Sequence, residues 1–308
     1  MLVFVVGFSN AWSLAMVTDI IDCPIHTPSR ESSTQSSIQP DKVKIFVSTA
    51  TNTRGGWDSD LAIYDSDAQF RNYQIATCTQ SLFSMYGTDM VKLTESEKEL
   101  LSQWYPSYQQ NLPSAKNILT WQRYNIAADV YRKLDYDSAF LAELYMNGSW
   151  TIRDDMVGVH RIEGPSEMQK LLKEGDKELS KQLTLEQRKL VIYNLARVAH
   201  RFGDDALSLS YIQKFEDIPN LSDQEQHVVR QFRQGIIWEK EMQQKALIEI
   251  GKIPKEKKNL IHILWEAEIL RKQGRWEEAL VLYKKLSTQT EYPQIQKIAI
   301  FFTTWEPN

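Results

Sequence analysis

Two short elements hold the only cysteines of the chain, and each has the spacing of half a zinc site. Cys23 is followed three positions later by His26, and Cys78, 55 positions further on, is followed three positions later by Ser81. A closed tetrahedral zinc site uses four nitrogen or sulfur ligands, often as two Cys-x-x-Cys pairs. Histidine can bind zinc, but a serine hydroxyl is a poor ligand at neutral pH, so three ligands remain. A zinc-binding protein or metal-dependent enzyme using Cys23, His26 and Cys78 is therefore one hypothesis.

A second candidate cation site lies in a turn-rich stretch. Asp58 and Asp60 follow two glycines, and alternating carboxylates beside backbone carbonyls could hold calcium. The further ligands of a known calcium loop are missing, and aspartates at such positions also cap turns through their side chains. Metal binding and turn capping both remain open for Asp58 and Asp60.

Other signatures of catalysis are missing from the sequence. It contains no Gly-x-Ser-x-Gly element, no Walker loop and no His-Glu-x-x-His helix. The five histidines are widely separated, and His200 lies where a protonated ring would favour a helix C-terminus. No catalytic residue is predicted, and a non-catalytic function is favoured.

Composition excludes several classes of protein. Lysine and arginine number 36 against 40 acidic residues, and the resulting net charge of −4 argues against a nucleic-acid partner. Hydrophobic residues at 42% and charged residues at 25% are ordinary for an ordered globular protein. No apolar run approaches the roughly 20 residues that span a bilayer.

The elements that must position these residues fall into two regions. Residues 16–92 are β-rich and turn-rich, with strands expected at Val43–Ser48 and Tyr73–Thr77. Residues 93–308 have helical periodicity with recurring start and stop signals. Capping boxes are expected at Thr94, Ser166, Thr184 and Ser222, and helix ends at Gly203, Gly251 and Gly274.

One stretch of the helical region resembles a tetratricopeptide repeat. In Leu264–Leu286, small and large residues alternate in the pattern that lets two helices of a hairpin approach closely. An array of such hairpins normally offers a groove to an extended or helical peptide. The residues expected to pack the repeat are Ala267, Gly274, Trp276, Ala279 and Tyr283.

The first 15 residues are typical of a shortened secretory signal peptide. An apolar stretch is followed by Ser13 and Ala15 at the −3 and −1 positions of a cleavage site, although no basic residue precedes it. The sequence therefore predicts a periplasmic or secreted protein. The alternative is a cytoplasmic protein whose first segment is a buried strand.

Several short elements of the remaining chain carry a resemblance to a known family. They are Cys23-Pro24, Thr51–Leu61, Thr77-Cys78, Ala142–Tyr145 with Trp150, Arg153-Asp154 and Tyr193–His200. Through them, nearly the whole remaining chain resembles the bacterial family that carries the domain of unknown function 2225. This resemblance implies an N-terminal zinc-ribbon-like region joined to tetratricopeptide-like helices, and it implies no reaction. His26 and Ser81 depart from the family pattern, so the zinc ribbon is degenerate here.

The resemblance also implies a different role for the cysteines. The first cysteines of both ribbon halves would share one metal, so without the metal their sulfurs could form a Cys23–Cys78 disulfide. The sequence thus predicts an α+β, mostly α fold, with a ribbon-like region before antiparallel helical hairpins. The expected function is a non-catalytic binding or assembly module for a protein partner. No cofactor is expected under that hypothesis, and zinc belongs to the alternative.

Overall fold

The computed structural model describes residues 15–25, 41–50, 55–65, 69–113, 118–157 and 161–305. It has the predicted fold class, with short strands and a majority of helix. The strands are β1 (Ala15–Asp22), β2 (Lys42–Ala50), β3 (Gly56–Trp57), β4 (Ile63–Tyr64), β5 (Ile75–Thr77), β6 (Ser84–Tyr86) and β7 (Ile162–Glu163). The helices are α1 (Arg71–Gln74), α2 (Gly87–Met90), α3 (Glu95–Gln109), α4 (Thr120–Lys133), α5 (Ser138–Val157), α6 (Pro165–Leu179), α7 (Leu185–Phe202), α8 (Asp205–Glu216), α9 (Asp223–Lys252), α10 (Leu260–Lys272), α11 (Trp276–Ser287) and α12 (Pro293–Thr304).

An antiparallel hairpin of β1 and β2 opens the described chain. Its register runs from Ala15 opposite Ala50 to Asp22 opposite Lys42. Val43 and Ile45 are buried while Lys44 between them is exposed, the alternation expected for a half-buried strand. The expected strand Tyr73–Thr77 is shorter than predicted, because Arg71–Gln74 form a helical turn and only Ile75–Thr77 are extended.

A small three-stranded sheet joins distant parts of the chain. Strand β3 pairs antiparallel with β4 and parallel with β7. At Gly56 the backbone has a φ of +89°, and a Cβ atom there would overlap the backbone of Ile162. Glycine is required at this position both for its conformation and for the close approach of β7.

Most of the expected helix ends are confirmed. Thr94, Thr184 and Ser222 each accept from the N3 amide and form complete capping boxes. The capping box expected at Ser166 is wrong, because α6 begins at Pro165 after Gly164. The stop expected at Gly251 is also wrong, because α9 continues to Lys252. In both cases the local signal misplaced a helix end, because the helix extends one or two residues beyond the expected boundary.

Three buried apolar clusters hold the helices together. The first is a set of buried side chains whose first member in sequence is Cys23 and whose last is Ile269, so it includes residues of both predicted regions. The second packs α10, α11 and α12 against α6, and the third packs α7, α8 and α9. Among the described helices, none combines the length and apolar character needed to span a bilayer.

The five repeat residues lie in and around the second cluster. Ala267, Ala279 and Tyr283 are fully buried, and Trp276 packs at its edge. Gly274 has a φ of +77° in the short turn between α10 and α11. The packing of one helical hairpin is thus as expected, while membership of a repeat family remains a prediction.

Candidate functional site

The two cysteines lie next to each other in the β-rich region, each directly after a strand. Cys23 follows β1 and Cys78 follows β5, and their sulfur atoms lie at disulfide distance with the Cα atoms 5.8 Å apart. Both residues are buried, and the backbone N–H of Cys23 donates to the carbonyl of Asp41 at 2.7 Å. His26, the third ligand of the zinc hypothesis, lies outside the described residues.

Asp41 is the acidic side chain beside this pair, and the sequence analysis missed it. One carboxylate oxygen of Asp41 and the two sulfurs lie within 4.8 Å of one another. The carboxylate accepts from Thr79 Oγ1 at 2.8 Å, from the N–H groups of Gln80 and Ser81, and from Ser81 Oγ at 3.0 Å. Ser81, which departs from the family pattern, therefore serves to bind Asp41. These four donors make Asp41 the cap of the turn at residues 79–81.

Asp58 and Asp60 lie in a tight turn between β3 and β4, and their side chains are turned into the protein. The N–H of Leu61 donates to the carbonyl of Asp58 at 3.0 Å, and the N–H of Asp58 donates to that of Ala62 at 3.0 Å. Leu61 adopts a φ of +64° to close the turn. Both carboxylates are at most 1% exposed. Two such buried charges require partners.

Arg153 of α5 supplies the first partner. Its Nη1 donates to Asp58 at 2.7 Å, and its Nη2 donates to Asp60 at 2.6 Å and to Glu239 of α9 at 2.7 Å. A planar guanidinium suits this role because its fixed fork of donors can serve several carboxylates together. The fully buried Arg153 thus lies where the calcium hypothesis would place a cation.

Two further cations approach the same carboxylates. Arg201 of α7 donates through Nε to Asp58 at 2.9 Å, and Lys272 at the end of α10 lies 3.3 Å from Asp60 and 3.5 Å from Glu239. Burial alone would raise the pKa of Asp60, but Arg153 and Lys272 hold it well below its usual range. The carboxylate of Asp60 is therefore ionised.

His200 of α7 completes the arrangement. Its Nδ1 lies 2.8 Å from Asp205, and its Nε2 lies 2.7 Å from Glu239. Burial by itself would lower the pKa of His200, but the adjacent carboxylates of Glu239 and Asp205 raise it to about 9. The ring is therefore protonated at neutral pH and donates to both carboxylates.

The charges of these acidic and basic side chains compensate one another. Inside the protein, the acidic side chains of Asp58, Asp60, Asp205 and Glu239 lie against Arg153, His200, Arg201 and Lys272, and each of these eight is at most 10% exposed. Lys240, which is 51% exposed, approaches Asp205 from the surface at 3.1 Å. A buried charge without such a partner would cost several kcal/mol, by order of magnitude. We refer to Asp58, Asp60, Arg153, His200, Arg201, Asp205, Glu239 and Lys272 as the buried ion cluster.

The cluster brings together segments that are far apart in sequence. The stretches Thr51–Leu61, Arg153-Asp154 and Tyr193–His200, which carried the family resemblance, all contribute residues to it. Glu239 was not predicted, although a signal exists. It lies on the same buried face of α9 as Phe232 and Ile236, at helical spacing from them.

A second set of contacts ties the same turn to the helical hairpin of α10 and α11. Ser59 Oγ donates to Glu268 Oε2 at 2.6 Å, and the hydroxyl of Tyr283 donates to the other oxygen of Glu268. Trp265 Nε1 donates to the carbonyl of Asp60 at 3.0 Å. Tyr283, expected only to pack the repeat, thus also binds the acidic side chain that holds the turn.

The surface of the helical part contains an open cleft. It has a volume of about 520 Å³ and lies where the C-terminal ends of α6 and α8 meet the first turns of α7. Apolar side chains dominate its lining, and charged groups stand among them. We call this the α6–α8 cleft, lined by Leu179, Leu185, Arg188, Ile192, Lys214, Asp217, Ile218 and Pro219.

Comparison of the chain with protein-family models, with curated proteins and with solved structures found no match. The family resemblance therefore stays a prediction.

Proposed function

We propose that the chain is an exported, non-catalytic binding or assembly module that holds a segment of a protein partner in the α6–α8 cleft. The observation that carries the proposal is the open, largely apolar cleft on a frame of packed helices. A cleft of this volume is within the range that holds a ligand or a few side chains.

The buried ion cluster supports this proposal by fixing the helix that forms one wall. His200 and Arg201 anchor α7 to Glu239 and to the turn at Asp58, while Thr184 caps the start of the helix. A binding surface that is already ordered loses less conformational entropy when its partner binds. The cluster therefore acts as a scaffold for the cleft.

Export is supported by the cysteine pair, because disulfides persist in oxidising compartments. Cleavage after Ala15 would leave Met16 as the first residue, still opposite Ser48 in the β1–β2 hairpin. The test is the intact mass of the natively expressed protein with and without reductant. We expect loss of residues 1–15 and a mass gain of two hydrogen atoms on reduction. A full-length chain with free thiols would contradict export and favour a cytoplasmic protein.

Binding in the cleft can be tested with a photo-crosslinking amino acid placed at Leu185. Leu190 is the matched control, because both leucines lie on α7 and are about equally exposed, at 49% and 54%, but only Leu185 lines the cleft. We expect one defined crosslinked partner from Leu185 and none from Leu190. Equal crosslinking from both positions, or none from either, would contradict the proposal.

The alternative is a zinc-binding protein or metal-dependent enzyme at the cysteines. One observation favours it, namely the proximity of Cys23, Asp41 and Cys78. The oxidised pair does not fit zinc, because a ligating cysteine must be a thiolate and Asp41 already accepts from four donors. Retention of one zinc per chain by the natively expressed protein after dialysis would favour this alternative. A metal-free oxidised protein would remove its support.

A further inference from the structure

We infer that the partner segment held by the α6–α8 cleft is acidic, with an apolar side chain beside its carboxylates. The inference rests on the proposed function and names the chemistry of the partner. Its basis is the pair of cations, Arg188 from α7 and Lys214 from α8, that stand among the apolar residues of the cleft.

Both cations are available to a ligand. Within the part of the chain that the structure describes, neither Arg188 nor Lys214 lies within ion-pair distance of a carboxylate. Neighbouring lysines differ, since Lys181 contacts Glu178 at 2.5 Å and Lys189 contacts Glu225 at 2.8 Å. Lys214 instead lies over the ring of Tyr211, with its Nζ 4.8 Å from the centroid. Two exposed cations on neighbouring helices thus remain free to meet carboxylates.

The single acidic residue of the cleft does not cancel this charge. Asp217 accepts a hydrogen bond from Gln213 of its own helical segment at 3.0 Å. The lining therefore carries two cations and one anion around an apolar floor that includes Ile192 and Ile218. Apolar burial supplies affinity in such a site, while exposed charges select the partner and speed its approach.

The test is selection from a displayed library of random heptapeptides against the immobilised mature protein. The same library is selected against a variant in which Arg188→Glu and Lys214→Glu reverse the charge of the cleft. The control variant carries Lys284→Glu and Lys285→Glu on α11, which makes the same charge change away from the cleft. All three proteins keep the residues of the buried ion cluster.

We expect the mature protein and the control to enrich the same peptides, rich in aspartate or glutamate beside leucine or another apolar residue. The reversed variant should enrich basic peptides and bind the acidic ones about tenfold more weakly. Raised salt should weaken the acidic peptides, because exposed charges are screened.

The outcomes separate this inference from the function on which it rests. Enrichment of neutral apolar peptides, equally by the mature protein and the reversed variant, would overturn the acidic partner and leave the cleft as a binding site. Absence of enrichment by the mature protein, together with no crosslink from Leu185, would overturn both.

Discussion

Replacement of Arg153 by methionine tests the buried ion cluster. Arg153 donates to Asp58, Asp60 and Glu239, all at 2.7 Å or less at their closest atoms. Methionine fills a similar volume but removes the charge. Each carboxylate keeps a second cationic neighbour, so the loss leaves one net negative charge in the protein interior.

The expected loss of unfolding free energy follows from this single uncompensated charge. One uncompensated buried charge destabilises a protein by about 3 to 5 kcal/mol. We expect the low end of this range, because Arg201, Lys272 and His200 continue to screen the three carboxylates. The measurement is the free energy of unfolding in urea, followed by tryptophan fluorescence with the disulfide kept intact.

Two further variants make the test specific. Arg161→Met removes an ion pair with Glu163 whose arginine is 74% exposed, and it should leave the free energy of unfolding nearly unchanged, because solvent screens exposed ion pairs. Adding Asp60→Asn to Arg153→Met restores equal numbers of charges, so the double variant should lose less than the sum of the single losses. A cost below about 1 kcal/mol for Arg153→Met, or strict additivity, would refute the role of the cluster.

Three other perturbations have defined outcomes. Because the folded-state pKa of His200 is raised from 6.5 to about 9, its stabilisation is complete below pH 6.5 and is lost as pH rises to about 9. Urea unfolding at both pH values should show wild type losing up to about 3 kcal/mol more than His200→Gln. Replacing both Cys23 and Cys78 by alanine should cost about 4 kcal/mol in the same assay and remove any effect of reductant. Gly56→Ala should lower the unfolding free energy by about 1 to 3 kcal/mol more than Gly274→Ala, because both have a positive φ but, of the two, Gly56 alone faces another backbone.

Each of these has a contradicting result. Parallel pH profiles for wild type and His200→Gln would show that the ring is not held protonated by its carboxylate neighbours. Unchanged stability on reduction of wild type would show that the cysteines are not bonded to each other. Equal losses for the two glycine variants would show that conformation alone, rather than the approach of β7, sets the requirement at Gly56.

Local features of the structure could be predicted from the sequence. Thr94, Thr184 and Ser222 were found as helix starts because a capping box depends on residues only three positions apart. The buried positions Ala267 and Ala279 were found because helix periodicity and small-residue spacing are also short-range signals.

The candidate site was only partly predictable, because its contacts are not local. Asp58 and Asp60 were recognised as chemically distinctive, but nothing near them in sequence shows that their cation is a guanidinium 93 to 95 residues away. Lys272 is 212 residues from Asp60. The α6–α8 cleft depends on how three helices end relative to one another, which periodicity within each helix does not determine.

The most direct test of cleft binding is the affinity of the partner crosslinked through Leu185, measured with purified components. Wild type is compared with Leu185→Gln and with the control Leu190→Gln, whose side chain is equally exposed on the same helix but lies outside the cleft. We expect Leu185→Gln to weaken binding about tenfold, as loss of a buried leucine would, and Leu190→Gln to bind as wild type does. Equal affinity of all three proteins would contradict recognition through the α6–α8 cleft.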